Sequence, residues 1–193
     1  MNNKSLLKYT FGIIALVGIG FASVPFFQSM GINEKQKNDA WATCDLSEMA
    51  PGTIKECGYG WVYKRTKEDK ESISMFVGLL ADAEMNESKQ PEIARNNWRS
   101  ENEDFFVFYP WAPVRRCAIS FISKNSEDHG LRKADEYDAI KNLPYFTEHC
   151  ERRTWDTSGR LYARKHNPPE NKLIVPKVKW KSDTKIFIPT PSF

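Results

Sequence analysis

The sequence predicts a mainly β head carried on one membrane-spanning helix. Three features lead there. A charge-free run lies near the start, short β-forming segments cut by turn residues fill most of the rest, and one stretch breaks into a helical repeat of apolar residues. The 193 residues carry a formal net charge of +3 and 40% apolar side chains, enough for one core plus a short appendage. Charge this nearly balanced, with no Lys/Arg-rich tract, excludes a nucleic-acid partner.

From Tyr9 to Asn33 no residue is charged, and "FGIIALVGIGFASVPFF" is long enough to cross a bilayer as a helix. The run exceeds a signal-peptide core, which favours an uncleaved anchor over a leader cut at Gly20-x-Ala22. Residues 1–8 are then a cytoplasmic N-terminus, 9–30 the transmembrane helix, 31–42 a polar tether and 43–193 the head. Lys4 and Lys8 before the run balance Lys35 and Lys37 after it, so charge does not set the orientation. The cysteines do. All four lie beyond the anchor, and an even number suits an exported, disulfide-forming head, placed in the periplasm of a bacterial inner-membrane protein.

Within the head, Pro51-Gly52 is a turn, and Gly58-Tyr59-Gly60 is a second, tighter one between strands. From Lys67 to Ala83 the residues Ile73, Phe76, Val77, Leu79 and Leu80 form one helical apolar face. "NESKQPEIARNNWRSENED" reads as polar linker. "FFVFYPWAP" reads as a buried strand entering a proline-bounded loop, and "SKNSEDHGLRKADEYDAIKNLP" as a charged surface insertion. Short strands follow, split at Ser158-Gly159, Pro168-Pro169 and Ser182-Asp183. The residues alone point to an all-β sandwich or an open barrel with one inserted helix.

Two clusters stand out. One is "APVRRC", residues 112–117; the other is "EHCERR", residues 148–153. Glu148, His149, Glu151 and His166 have ligand types that suit zinc, but adjacent loop residues rarely converge on one ion, so no metal is expected. Ion pairing of Glu148 and Glu151 with Arg115, Arg116, Arg152 and Arg153 is the plainer reading. Cys44 and Cys57 flank a strand–turn–strand and could bridge, which spacing alone leaves open. Trp111, Trp155 and the "FFVFYPW" aromatics read as core. No nucleophile–base pair or phosphate-cradling loop is present.

Taken in order, "VPFFQS", "DLSEMAPGTI…WVYKRT", "SKQPEIARNNWRSENEDFFVF" and "WDTSGRLY…NPPENKLIVPKVKWKSDTKIFI" resemble the Rieske iron–sulfur subunit of the ubiquinol–cytochrome c reductase (cytochrome bc) complex. Lys172 looks inserted, and "NPPEN" resembles that family's proline-rich loop. The resemblance implies a Rieske-type antiparallel β-sandwich. The family's loops read C-T-H-x-G-C and C-P-C-H-G-S, with two Cys and two His ligands to a 2Fe–2S centre and the other two Cys in a disulfide. On that pattern Ala112 and Val114 stand at the first loop's ligand positions, and Glu148 and Glu151 at the second's. Cys117 and Cys150 keep the disulfide positions.

The resemblance therefore implies a head without its cluster: no cofactor, no enzyme on its own, and an accessory or structural subunit of the cytochrome bc complex or of a supercomplex containing it. Its expected partners are cytochrome b and cytochrome c-type subunits and membrane lipid, met by a basic tip of Arg115, Arg116, Arg152 and Arg153. The alternatives are a functional ubiquinol–cytochrome c reductase Rieske-type subunit or a redox protein with a different metal at the remodelled loop, and a free-standing periplasmic assembly or binding factor.

Overall fold

The computed structural model describes residues 41–83, 90–124, 142–163 and 172–191. The expected transmembrane helix, most of the tether, the charged insertion from residue 125 onward, His166 and the "NPPEN" loop lie outside these. Among the described residues no helix is long and apolar enough to cross a membrane. The chain divides into a unit of residues 1–40 and a unit of residues 41–193. Only the second is described below.

That unit is mainly β, as expected. Among the described residues nine strands form three small antiparallel sheets. The first joins β1 (Trp41–Asp45) to β9 (Lys185–Pro189), which also pairs β8 (Lys179–Ser182). The second runs β2 (Ile54–Cys57), β3 (Gly60–Lys64), β4 (Phe105–Phe108). The third runs β5 (Ile119–Ile122), β6 (Tyr145–Glu148), β7 (Thr154–Trp155).

The second sheet is the middle layer, and β4 shows why. Side chains alternate faces along a strand, and all four residues of "FFVF" are buried. Phe105 and Val107 join Val62, Cys44, Leu46, Ile186 and Ile188 in a core toward the first sheet. Phe106 and Phe108 join Tyr63, Ile119, Phe146, Trp155, Leu161 and Leu173 in a core toward the third. An unbroken apolar run fits a strand covered on both faces.

The β2–β3 hairpin closes through Gly58-Tyr59. Gly58 has φ +62°, and a Cβ there would lie 2.4 Å from the Cβ of Ala42, so conformation and space both demand glycine. Cys57 precedes it and is bonded to Cys44, which staples the first two sheets inside the first core.

The helix α1 spans Lys67–Met75 and starts at a capping box, in which the Thr66 hydroxyl accepts from the Asp69 N–H and the Asp69 carboxylate accepts from the Thr66 N–H. It ends eight residues before the expected Ala83. Of the expected apolar face only Ile73 is buried in the helix, while Val77–Leu79 form a separate 3-10 turn and Leu80 bridges Tyr162. Gly78, weak in a helix interior, sits in that turn.

The expected polar linker is also corrected. Ala94, Arg99 and Ser100 are buried. The Arg99 guanidinium donates to the carbonyls of Ser158, Gly159 and Leu173. Arg65 donates to the carbonyls of Trp98 and Glu103, and Arg160 to the Asp156 carboxylate and the Ile73 carbonyl. Burial pushes the pKa of Arg65 and of Arg99 down, and the Asp156 carboxylate opposes that shift. The seemingly inserted Lys172 is buried and pairs with Asp82.

Candidate functional site

Two loops meet at one end of the third sheet. The first connects β4 to β5. It closes on itself through the Trp111–Ala118 bridge, with the Ala112 N–H donating to the Cys117 carbonyl (2.8 Å) and the Arg116 N–H to the Ala112 carbonyl (3.0 Å). The second connects β6 to β7, with the Glu148 N–H donating to the Arg153 carbonyl at 3.2 Å. A Cys117–Cys150 disulfide, Cα–Cα 6.3 Å, ties the loops together. None of the cysteines is free.

Both loops turn through arginine. Arg116 has φ +52° and Arg152 φ +57°, the left-handed region that side chains with a Cβ enter at a cost. These turns let each loop reverse within a few residues of its cysteine.

The candidate residues separate clearly. Ala112 is buried and packs in the core against the third sheet, whereas Val114 is 59% exposed at the loop's end. Glu148 is buried, and its carboxylate accepts from three backbone N–H groups: Cys150 (2.6 Å), Glu151 (3.0 Å) and Arg153 (3.0 Å). Glu148 thus sits in an amide cradle, with the Arg153 guanidinium as a nearby opposite charge. Hydrogen bonds to a charged acceptor are the strong kind, and they repay the burial of the carboxylate.

Glu151 does pair with arginine. It meets the Arg115 Nε at 2.9 Å and the Arg153 guanidinium. Burial pushes the Arg153 pKa down, and the Glu148 charge opposes that shift. Arg115, His149 and Arg152 are all exposed. Glu148, His149 and Glu151 are therefore not gathered around one point. The residues that are gathered are Cys117, Glu148 and Cys150, whose donor atoms lie within 4.8 Å of one another.

Beside the tip lies a groove of about 390 Å³, lined by the stacked pair Tyr109 and Trp111, by Pro113, Pro176 and Pro189, and by Arg116.

No family model matches the chain. The chain is similar to the ubiquinol-cytochrome c reductase iron-sulfur subunit of Allochromatium vinosum, 23% identical, with 97% of this chain and 88% of that one covered. That likeness covers nearly the whole chain and supports the resemblance to the Rieske subunit that the motifs carry.

It also corrects one expectation. The sequence reading expected no cofactor, and that is overturned by the comparison, since the similar protein is named for an iron–sulfur group. The tip as folded here does not fit a Rieske centre. Such a centre takes two thiolates and two imidazoles. Ala112 and Val114 have no donor atom, Glu148 is held by amides, Glu151 is held by arginines, and Cys117 and Cys150 are bonded to each other.

Proposed function

We propose that this chain is a subunit of a membrane complex of the ubiquinol–cytochrome c reductase type, anchored by residues 9–30 in a bacterial inner membrane with its head in the periplasm. The similarity over nearly the whole chain to a named subunit of that complex carries this reading. The head serves there as an accessory or structural element, acting through its shape and its charged tip. Its partners are cytochrome b and cytochrome c-type chains. Two loops locked by a disulfide support a docking surface, since a preorganised surface loses little entropy on binding.

The tip sets the kind of contact. Arg115, Arg116, Arg152 and Arg153 outnumber Glu148 and Glu151, so the tip is basic. Burying a guanidinium in an apolar pocket costs several kcal/mol, which favours an acidic surface or anionic headgroups over an apolar slot.

The test is capture of the full-length chain from its own membranes in mild detergent. Cytochrome b and c-type chains are expected in the captured material. Replacing the four arginines together by Ser should weaken their retention and flatten its dependence on salt. Recovery of the chain alone overturns the reading and favours a free-standing factor. The name of the similar protein favours a second reading, a redox-active iron–sulfur subunit. Stoichiometric iron and labile sulfide in the same captured material would establish it.

A further inference from the structure

We propose that the tip holds a divalent-metal site that opens on reduction of its disulfide, with the Cys117 and Cys150 thiolates and the Glu148 carboxylate as three protein ligands to a soft cation such as Zn²⁺. The three donor atoms already lie within 4.8 Å of one another. Cys150 is exposed and Cys117 half-buried, so a small thiol reaches the disulfide from solvent. The site is independent of the reading of the chain as a complex subunit.

The chemistry balances with a thiol as reductant. Two reductant thiols give up two electrons and become a disulfide. The Cys117–Cys150 bond breaks, and each sulfur takes a proton. On metal uptake both thiols release those protons to water, and each thiolate donates an electron pair to the cation. A tetrahedral zinc with sulfurs about 2.3 Å away sets them roughly 3.8 Å apart. Two cysteine side chains whose Cα atoms are 6.3 Å apart cover that span by rotation about their own bonds.

Glu148 is the third ligand because the loop presents it. An ionised carboxylate has roughly four lone-pair sites. The N–H groups of Cys150 and Arg153 take one each and the Glu151 N–H is shared between both oxygens, so a cation would displace one branch of that shared bond and leave the other in place. Those amides also fix the carboxylate, as the outer hydrogen bonds of metal sites do. Two thiolates favour Zn²⁺ over Mg²⁺ or Ca²⁺. The complex of a dication with three anions carries one negative charge, which suits a tip rich in arginine. The fourth position is left for water or a small ligand.

The experiment uses the full-length chain in detergent, reduced with a monothiol and desalted without oxygen. Co²⁺ is titrated first, because a thiolate-bound cobalt absorbs by charge transfer, and Zn²⁺ then competes against a chromophoric chelator. One cobalt per chain is expected in the reduced protein, with no such band in the oxidised protein. Cys117→Ser and Cys150→Ser should each weaken Zn²⁺ binding by about 100-fold, and Glu148→Gln by about 10- to 100-fold. X-ray absorption on the zinc-loaded wild type should count two sulfur neighbours and at least one oxygen, which tests the ligand set even where a variant does not fold. Reduced protein that binds no more tightly than oxidised protein overturns the proposal, as does a zinc neighbour shell without two sulfurs.

Discussion

The base and the tip of the head are built by opposite rules. The base is held by long-range partners. Its two apolar cores lie on either face of one sheet, and its buried guanidinium groups of Arg65, Arg99 and Arg160 take carbonyls from segments far apart in the chain. The tip is held by neighbours. Glu148 takes its amides from residues two to five positions away, and Glu151 takes one of its two arginines from two positions away. Only the Cys117–Cys150 bond joins one tip loop to the other covalently. A base of this kind tolerates little change, while a tip of this kind can be rewritten locally and remain folded.

The sharpest way to break that contrast is at Asp156. Its carboxylate accepts from the Ser158 and Arg160 N–H groups and from the Arg160 side chain. It is also the leading carboxylate facing Arg65 and Arg99. Asp156→Ala is expected to cost about 3–5 kcal/mol in urea unfolding, because buried guanidinium groups lose their counter-charge. A loss below 1 kcal/mol would show that the carbonyls alone support the arginines.

The tip's covalent tie comes next. Cys150→Ser is expected to lower stability by about 2–4 kcal/mol, with most of the loss confined to the two loops. Hydrogen exchange should rise at Trp111–Ala118 and at residues 148–153 and stay unchanged in β3 and β4. Faster exchange throughout the middle sheet would erase the distinction between the two regions.

Tyr63 tests the base by pH. Burial, and then the Asp69 carboxylate that accepts its hydroxyl proton, raise its pKa above the usual 10. Below that pH the phenol keeps its proton in both states. Above it only the unfolded chain releases the proton, so this group's contribution is lost as pH rises. Tyr63→Phe should make the fall of stability above pH 10 shallower, by up to about 1.4 kcal/mol per pH unit. Parallel curves for the two proteins would remove Tyr63 from the account.

The smallest effect is a gain. Arg116→Gly relieves a left-handed turn at the tip and is expected to add up to about 1 kcal/mol, less the entropy that glycine adds to the unfolded chain. Differential scanning calorimetry reads it as a small rise in Tm. A fall would show that the Arg116 side chain contributes more than its backbone costs.

Apolar pattern and turn chemistry made much of the base legible. The run "FFVF", the hairpin at Gly58-Tyr59 and the start of α1 follow from local residue types. The Cys117–Cys150 pair followed from family resemblance, and the structure also closes Cys44–Cys57, which spacing had left open. Buried arginines were not legible. Arg99 lies in a polar stretch, and its partners, the carbonyls of Ser158, Gly159 and Leu173 with the Gln90 side chain and the Asp156 charge, come mostly from segments far along the chain. The amide cradle of Glu148 was not legible for a related reason, since residue types suggest arginine partners while backbone amides carry no sequence letter. The expectation of no cofactor failed differently: it rested on ligand letters, whereas the comparison weighs the whole chain.

The pairing of β1 with β9 has a consequence for synthesis. Asp45 opposes Lys185 and Trp41 opposes Pro189, so the first described strand has no sheet partner until residues 185–189 are made. The middle sheet can form earlier, because β2, β3 and β4 are all complete by Phe108. A growing chain therefore carries a half-covered sheet, with Phe105 and Val107 exposed on the face that Ile186 and Ile188 later cover. Non-local closure of this sort slows folding and leaves an aggregation-prone interval. Truncation after β8 should accordingly yield a sticky intermediate, one that a holdase chaperone would bind and that the full-length head would not resemble.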